Sequence, residues 1–129
     1  MRSMILSVSG KDTMNYLIKT VLSPKYNILL VNSVFDATTK IRAEKNINLL
    51  IVDVDHQPQE SYDFINHISS SSIYRIPVIV LHTVNKDILE KNLEGNYYKS
   101  FQKPFNPIHL SDAVELTIAK KTVNIFLTN

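Results

Sequence analysis

Strand-like and helical segments alternate five times along the chain, and the second, third and fourth strand segments are continuous apolar runs. Few folds accommodate that pattern. A continuous apolar run of about 4–8 residues suits a strand buried on both faces, and apolar residues at i, i+3, i+4 and i+7 make one face of a helix. Strands are predicted at about 4–8, 27–31, 47–52, 77–81 and 98–102. The first helix carries the stripe Met14, Leu17, Ile18, Val21 and Leu22, with Asp12 or Thr13 placed to cap its start and Ser23-Pro24 to stop it. Ser33 and Asp36 have capping-box spacing and open a second helix that runs to about Lys45. A loop holding Pro58 precedes a third helix over about 62–69, with Phe64, Ile65 and Ile68 on its apolar face. Asn85 caps a fourth, and Gly95 stands just past its C-cap. Asn106 and Pro107 sit at N-cap and N1 of a last helix with the stripe Leu110, Ala113, Val114 and Thr117. Strict alternation predicts an α/β fold: a doubly wound, five-stranded parallel sheet with helices on both faces. One domain is expected over 1–129, with a core at about 4–121 and a tail at 122–129 whose apolar residues Val123 to Leu127 have no predicted structure.

Composition removes several functions. Fourteen basic residues against 12 acidic leave a net charge of +2, and Lys120-Lys121 is the one adjacent basic pair. That balance argues against a nucleic-acid-binding face, which needs clustered Lys and Arg. There is no cysteine, which excludes disulfides, zinc-thiolate sites and cysteine nucleophiles. The two glycines, Gly10 and Gly95, lie far apart, so no Gly-rich phosphate loop exists. No stretch approaches the ~20 apolar residues of a membrane span. Met4-Ile5-Leu6 is interrupted by Ser7, Ser9 and Lys11, too early for a signal-peptide core. The expectation is a cytoplasmic domain with no nucleic-acid or membrane partner. His56, His67, His82 and His109 lack metal-ligand spacing.

In doubly wound sheets the functional crevice lies at the carboxyl ends of the strands. The residues expected there are Ser9, Gly10, Asp53, His82, Thr83 and Lys103. Asp53 ends an apolar strand, Asp55 lies two residues on, and Lys103-Pro104-Phe105 follows the fifth strand. Taken alone, Asp53 reads equally well as a loop cap. With a lysine and a second carboxylate at the same sheet edge, it suits phosphoryl chemistry. A carboxylate can attack phosphorus to form an acyl phosphate, and an ammonium offsets charge on the phosphoryl oxygens.

At these residues the sequence resembles a response-regulator receiver domain, over about residues 4–121. The resemblance rests on Asp53, the Lys103-Pro104-Phe105 triplet, Ile76-Pro77 before the fourth strand, and Asp36-Ala37 in the second helix. It implies a flavodoxin-like fold and a role in a two-component phosphorelay. It makes Asp53 the phosphoacceptor and Lys103 the lysine on the phosphoryl group, with a cis Lys103–Pro104 bond. His82 or Thr83 would report the phosphoryl group, and a histidine kinase or downstream effector would be the protein partner. Asp53, and Asp55 through its backbone carbonyl, would hold Mg²⁺.

Several positions depart from the pattern. Where receivers carry an acidic, Mg²⁺-binding pair after the first strand, this chain has Ser9 and Gly10. His82 replaces the Ser or Thr expected at the end of the fourth strand, with Thr83 one residue later. His56-Gln57 replaces a Met-Pro pair, Ser61 replaces a glycine, and Ser100 replaces the switch aromatic, for which Tyr98 is an alternative. The expectation is a degenerate, pseudo-receiver-like domain with weak or absent Mg²⁺ binding and impaired phosphorylation. Two alternatives stand beside it. One is a phosphorylation-independent interaction or dimerisation module using Lys86, Glu90, Tyr97, Tyr98 and Lys99. The other is a small haloacid-dehalogenase-like phosphatase, which Asp53-Val54-Asp55 resembles, with Asp53 as nucleophile and Asp55 as general acid–base. On the favoured reading the chain is not an enzyme beyond accepting a phosphoryl group, and it is either self-standing or a piece of a longer protein.

Overall fold

The computed structural model describes residues 2–127, and side chains through Lys120. The element order is β1 (Met4–Val8), α1 (Asp12–Leu22), β2 (Asn27–Val31), α2 (Val34–Ala43), β3 (Ile47–Asp53), α3 (Pro58–Ser70), β4 (Val78–His82), α4 (Lys86–Leu93), β5 (Lys99–Gln102) and α5 (Pro107–Leu127). All strand pairings are parallel, and the sheet order is β2-β1-β3-β4-β5. This is the flavodoxin-like α/β arrangement expected from the alternating pattern. The order reverses between β1 and β3, which opens a crevice at their carboxyl ends.

Strand parity divides the core into two layers, because successive side chains point to opposite faces of a sheet. Leu6, Val8, Leu50, Val52, Val78 and Val80 pack beneath α2, α3 and α4, against Ala37, Ile41, Phe64, Ile65, Ile68, Leu89 and Leu93. Ile5, Leu49, Ile51, Ile79 and Leu81 pack on the other face against Ile18 and Leu22 of α1 and Leu110, Ala113 and Val114 of α5. No helix among the described residues is long and apolar enough to cross a membrane.

Four helix boundaries differ from expectation. Lys11, not Asp12 or Thr13, is the N-cap of α1, and no side chain caps it. The Ser9 hydroxyl instead accepts the Lys11 N–H at 3.2 Å, so the chain turns helical directly above Gly10. The second helix ends at Ala43, with Glu44 extended as its C-cap. The third starts at Pro58, about a turn earlier than predicted. Pro58 fits N1 because its ring presets the helical φ and its missing N–H has no intrahelical partner there. Ser61 in the added turn and Tyr62 directly after it are both buried. The apolar residues Val123 to Leu127 continue α5, while 128 and 129 lie outside the described residues.

The Ser33, Asn85 and Asn106 caps form as expected, accepting the N–H groups of Asp36, Ile88 and Ile108. Helix α4 ends with Glu94 at φ 50° followed by Gly95 at φ 76°, two left-handed residues in succession. Only glycine occupies that region without cost, which places Gly95 where a side chain would be strained. Ile51 is fully buried at the centre of the sheet. We expect Ile51→Ala to lower stability by about 2–5 kcal/mol in urea denaturation while leaving the far-UV dichroism of the native state unchanged.

Candidate functional site

The same parity that builds the second core layer builds the site. Ile5, Leu49, Leu81 and Phe101 belong to that layer. Continuing each strand in steps of two gives Asp53 at the end of β3 and Ser9, Thr83 and Lys103 just past the ends of β1, β4 and β5. Four side chains from four adjacent strands therefore converge at one sheet edge. His82 has the opposite parity. It is buried on the side of Val78 and Val80, and its ring Nδ1 lies 2.6 Å from the Val84 carbonyl, to which it donates.

Asp53 is almost completely buried, at 4% exposure. Its Oδ2 accepts the Ser9 hydroxyl at 2.8 Å and the Lys103 ammonium at 2.7 Å. Its Oδ1 accepts the backbone N–H of Asp55 at 3.1 Å. Lys103 also reaches Asp55 Oδ2 at 2.9 Å, so one ammonium bridges two carboxylates. The other Asp55 oxygen accepts the Thr83 N–H at 2.9 Å and the Thr83 hydroxyl at 3.0 Å. Burial pushes the Asp55 carboxyl up, but the bonds and charge from Lys103 and the two bonds from Thr83 outweigh burial and hold it below the usual aspartate value. The Lys103–Pro104 peptide is cis, as the resemblance implied.

Ser9 is held from behind by residues that the sequence reading passed over. Its carbonyl accepts the side-chain amides of Asn15 and Asn32, each at 3.2 Å. Asn15 is buried and shares the helical spacing of Ile18 and Leu22, so a polar residue on the apolar stripe of α1 was a readable signal. Asn32 directly follows β2 and also reaches Asp12 at 3.4 Å.

Gly10 shows why a side chain is absent there. A Cβ built on it would lie 2.3–2.6 Å from Cγ, Cδ2 and Cβ of His56. The imidazole and the root of its side chain fill the space that any residue larger than glycine would need at position 10. Among the described residues, no group of three or more His, Cys, Asp and Glu could hold a metal ion. The carboxylates at the crevice are those of Asp53 and Asp55, and both are paired with Lys103.

Structural comparison assigns the architecture. A response regulator from Thermotoga maritima superposes with a TM-score of 0.78 at 24% identity, covering 92% of this chain and 99% of that one. The signal receiver domain of an HD domain-containing protein from Pseudomonas fluorescens gives 0.84 at 20% identity, covering 95% and 91%. A response regulator receiver domain protein from Clostridium thermocellum gives 0.82 at 19% identity, covering 94% and 98%. This chain has the receiver-domain fold. No protein-family model and no curated protein matches the sequence.

Against the receiver fold, the remaining sequence-predicted residues fall on a second surface. Lys86, Glu90, Tyr97, Tyr98 and Lys99 line a shallow cavity of about 350 Å³ between α4 and β5. The Tyr97 hydroxyl donates to the Glu90 carboxylate. Burial, then that bond, pushes the Tyr97 phenol up to about 12. Tyr98 is 37% exposed, with the Lys120 ammonium 5.7 Å above its ring.

Two expectations follow. Gly10→Ala should destabilise the fold by about 1–3 kcal/mol, the range for forcing extra volume into a packed site. His56→Ala should relieve this only in part, because the His56 Cβ is itself in conflict, and His56→Gly should relieve the remainder. A double-mutant cycle in urea measures the coupling. The second concerns acid. A lowered Asp55 value means that the stability it contributes is complete above the unfolded-state value and is lost as pH falls through the folded-state value. The Thr83 amide resonance should therefore stay fixed from neutral pH down to the ordinary aspartate range and move only below it.

Proposed function

We propose that this domain is a two-component-type signalling module that acts through a protein partner, with Asp53 as its candidate phosphoacceptor and with impaired Mg²⁺-dependent phosphorylation. The observation that carries this reading is the pairing of a buried Asp53 with Lys103 at 2.7 Å, on the same oxygen that accepts a serine hydroxyl rather than facing an acidic neighbour. In phosphotransfer, an Asp53 oxygen would attack the phosphorus of a phosphohistidine. The P–N bond breaks with its electron pair left on the imidazole, and a P–O bond forms. Lys103 then neutralises the phosphoryl oxygens, and Thr83, with its hydroxyl at the crevice, is better placed than His82 to report them.

The donor set fits Mg²⁺ poorly. Hard divalent cations rely on carboxylate oxygens, and here Ser9 and Gly10 supply none at the end of β1. The two remaining carboxylates already share an internal cation. The phosphatase reading meets a separate obstacle. A general acid must carry a proton near neutral pH, and Asp55 is held ionised by Lys103 and Thr83. Binding through the α4–β5 face is the second reading, and it is favoured by the cavity edged with Tyr97 and Tyr98. That face would take a kinase, an effector or a second copy of the chain.

The test is an NMR titration with Mg²⁺ and beryllofluoride, a phosphoryl mimic. We expect no saturable shift of the Asp53, Thr83 and Lys103 amides at millimolar Mg²⁺. Saturable shifts would overturn the metal-poor reading. Asp53→Asn is expected to leave association through the α4–β5 face unchanged, measured by sedimentation against the wild-type chain.

A further inference from the structure

The crevice contains a set of hydrogen-bond donors suited to an oxyanion, and that set is already in use. The Lys103 ammonium, the Thr83 N–H and the Thr83 hydroxyl all point at the Asp55 carboxylate, at 2.9, 2.9 and 3.0 Å. These groups come from two different strand ends, and Asp55 comes from a third. The Asp55 backbone is fixed in turn by the bond from its N–H to Asp53 Oδ1, which orients the following side chain back across the crevice.

We infer that Asp55 is a tethered anion that masks an oxyanion-binding site formed by Lys103 and Thr83, and that its carboxylate pins the β4–α4 connection to the crevice. The signalling meaning of this device rests on the receiver-like reading above. The path from Asp55 to α4 is short and bonded throughout. Gln102 donates to the Thr83 carbonyl at 3.3 Å, the Lys103 N–H donates to the His82 carbonyl at 2.8 Å, and His82 Nδ1 holds Val84. Asn85 then caps α4. A small dianionic group arriving at the crevice must displace a carboxylate held at high effective concentration by its own chain. While Asp55 stays in place, its carboxylate holds Thr83, and with it the connection to α4, at the crevice.

Removing the tether should expose the site. In Asp55→Ala, the amides of Thr83 and of residues 85–88 should shift in a nitrogen–proton correlation spectrum. Sodium formate and inorganic phosphate, added separately, should each return them saturably toward their wild-type positions. Phosphate should bind the variant at least about ten-fold more tightly than the wild-type chain, equivalent to about 1.4 kcal/mol. Adding Thr83→Val to Asp55→Ala should abolish the return. The inference is overturned if the amides of 85–88 do not move in Asp55→Ala, if neither anion returns them, or if the wild-type chain binds phosphate equally well. If Asp55→Ala does not fold, the isosteric Asp55→Asn serves in its place. It should gain a saturable phosphate response that the wild-type chain lacks, and its absence overturns the inference. The titration reads the donors directly and uses neither metal nor partner, so its outcome is independent of the beryllofluoride experiment.

Discussion

The ion pair between Asp53 and Lys103 is the contact around which the upper edge of the sheet is organised. A carboxylate this deeply buried is costly unless it is paired and its remaining lone pairs are satisfied. Each neighbour meets part of that demand. Lys103 supplies the charge, Ser9 a hydroxyl, and Asp55 a backbone N–H. Those donors come from the ends of β1 and β5 and from the turn after β3. Satisfying one buried anion therefore locks three chain segments in register.

The same requirement accounts for the occupancy of the crevice. Lys103 carries one positive charge against two carboxylates, so the second carboxylate needs further donors, and Thr83 provides both its N–H and its hydroxyl. The cluster is closed on itself. On the other side, His56 lies against Gly10 and takes the volume where a side chain from the end of β1 would otherwise reach the crevice. Charge compensation from within and steric filling from the side act together, and both reduce the room for an external cation.

Much of this was legible in the residues. Short strand-like runs and segments of helical periodicity identified ten elements, and the Ser33, Asn85 and Asn106 caps follow from local chemistry. Asp53 was recognisable because a charged residue directly after an apolar strand in an α/β chain stands at the carboxyl edge, and Lys103 because it opens the Lys103-Pro104-Phe105 triplet after the fifth strand. Strand parity even contained the choice between His82 and Thr83, since Thr83 continues the face of Ile79 and Leu81. The start of α3 was less legible because Pro58 fits both a loop and a helix N1, and the burial of Tyr62 that favours the helix depends on the sheet beneath it.

The sequence by itself determined the layers, the strand ends and the identities of the charged groups there, because hydrophobic periodicity and capping act between residues close in the chain. It also determined that no acidic pair follows β1. Only the tertiary structure decided that Lys103 bridges two carboxylates 48 and 50 residues away in the chain. The fit of His56 against Gly10 and the hold of Asp55 on Thr83 were decided there too. These contacts depend on which strand lies beside which, and on distances of a few tenths of an ångström, which are set when two core layers close around one sheet and not by any local preference of the chain.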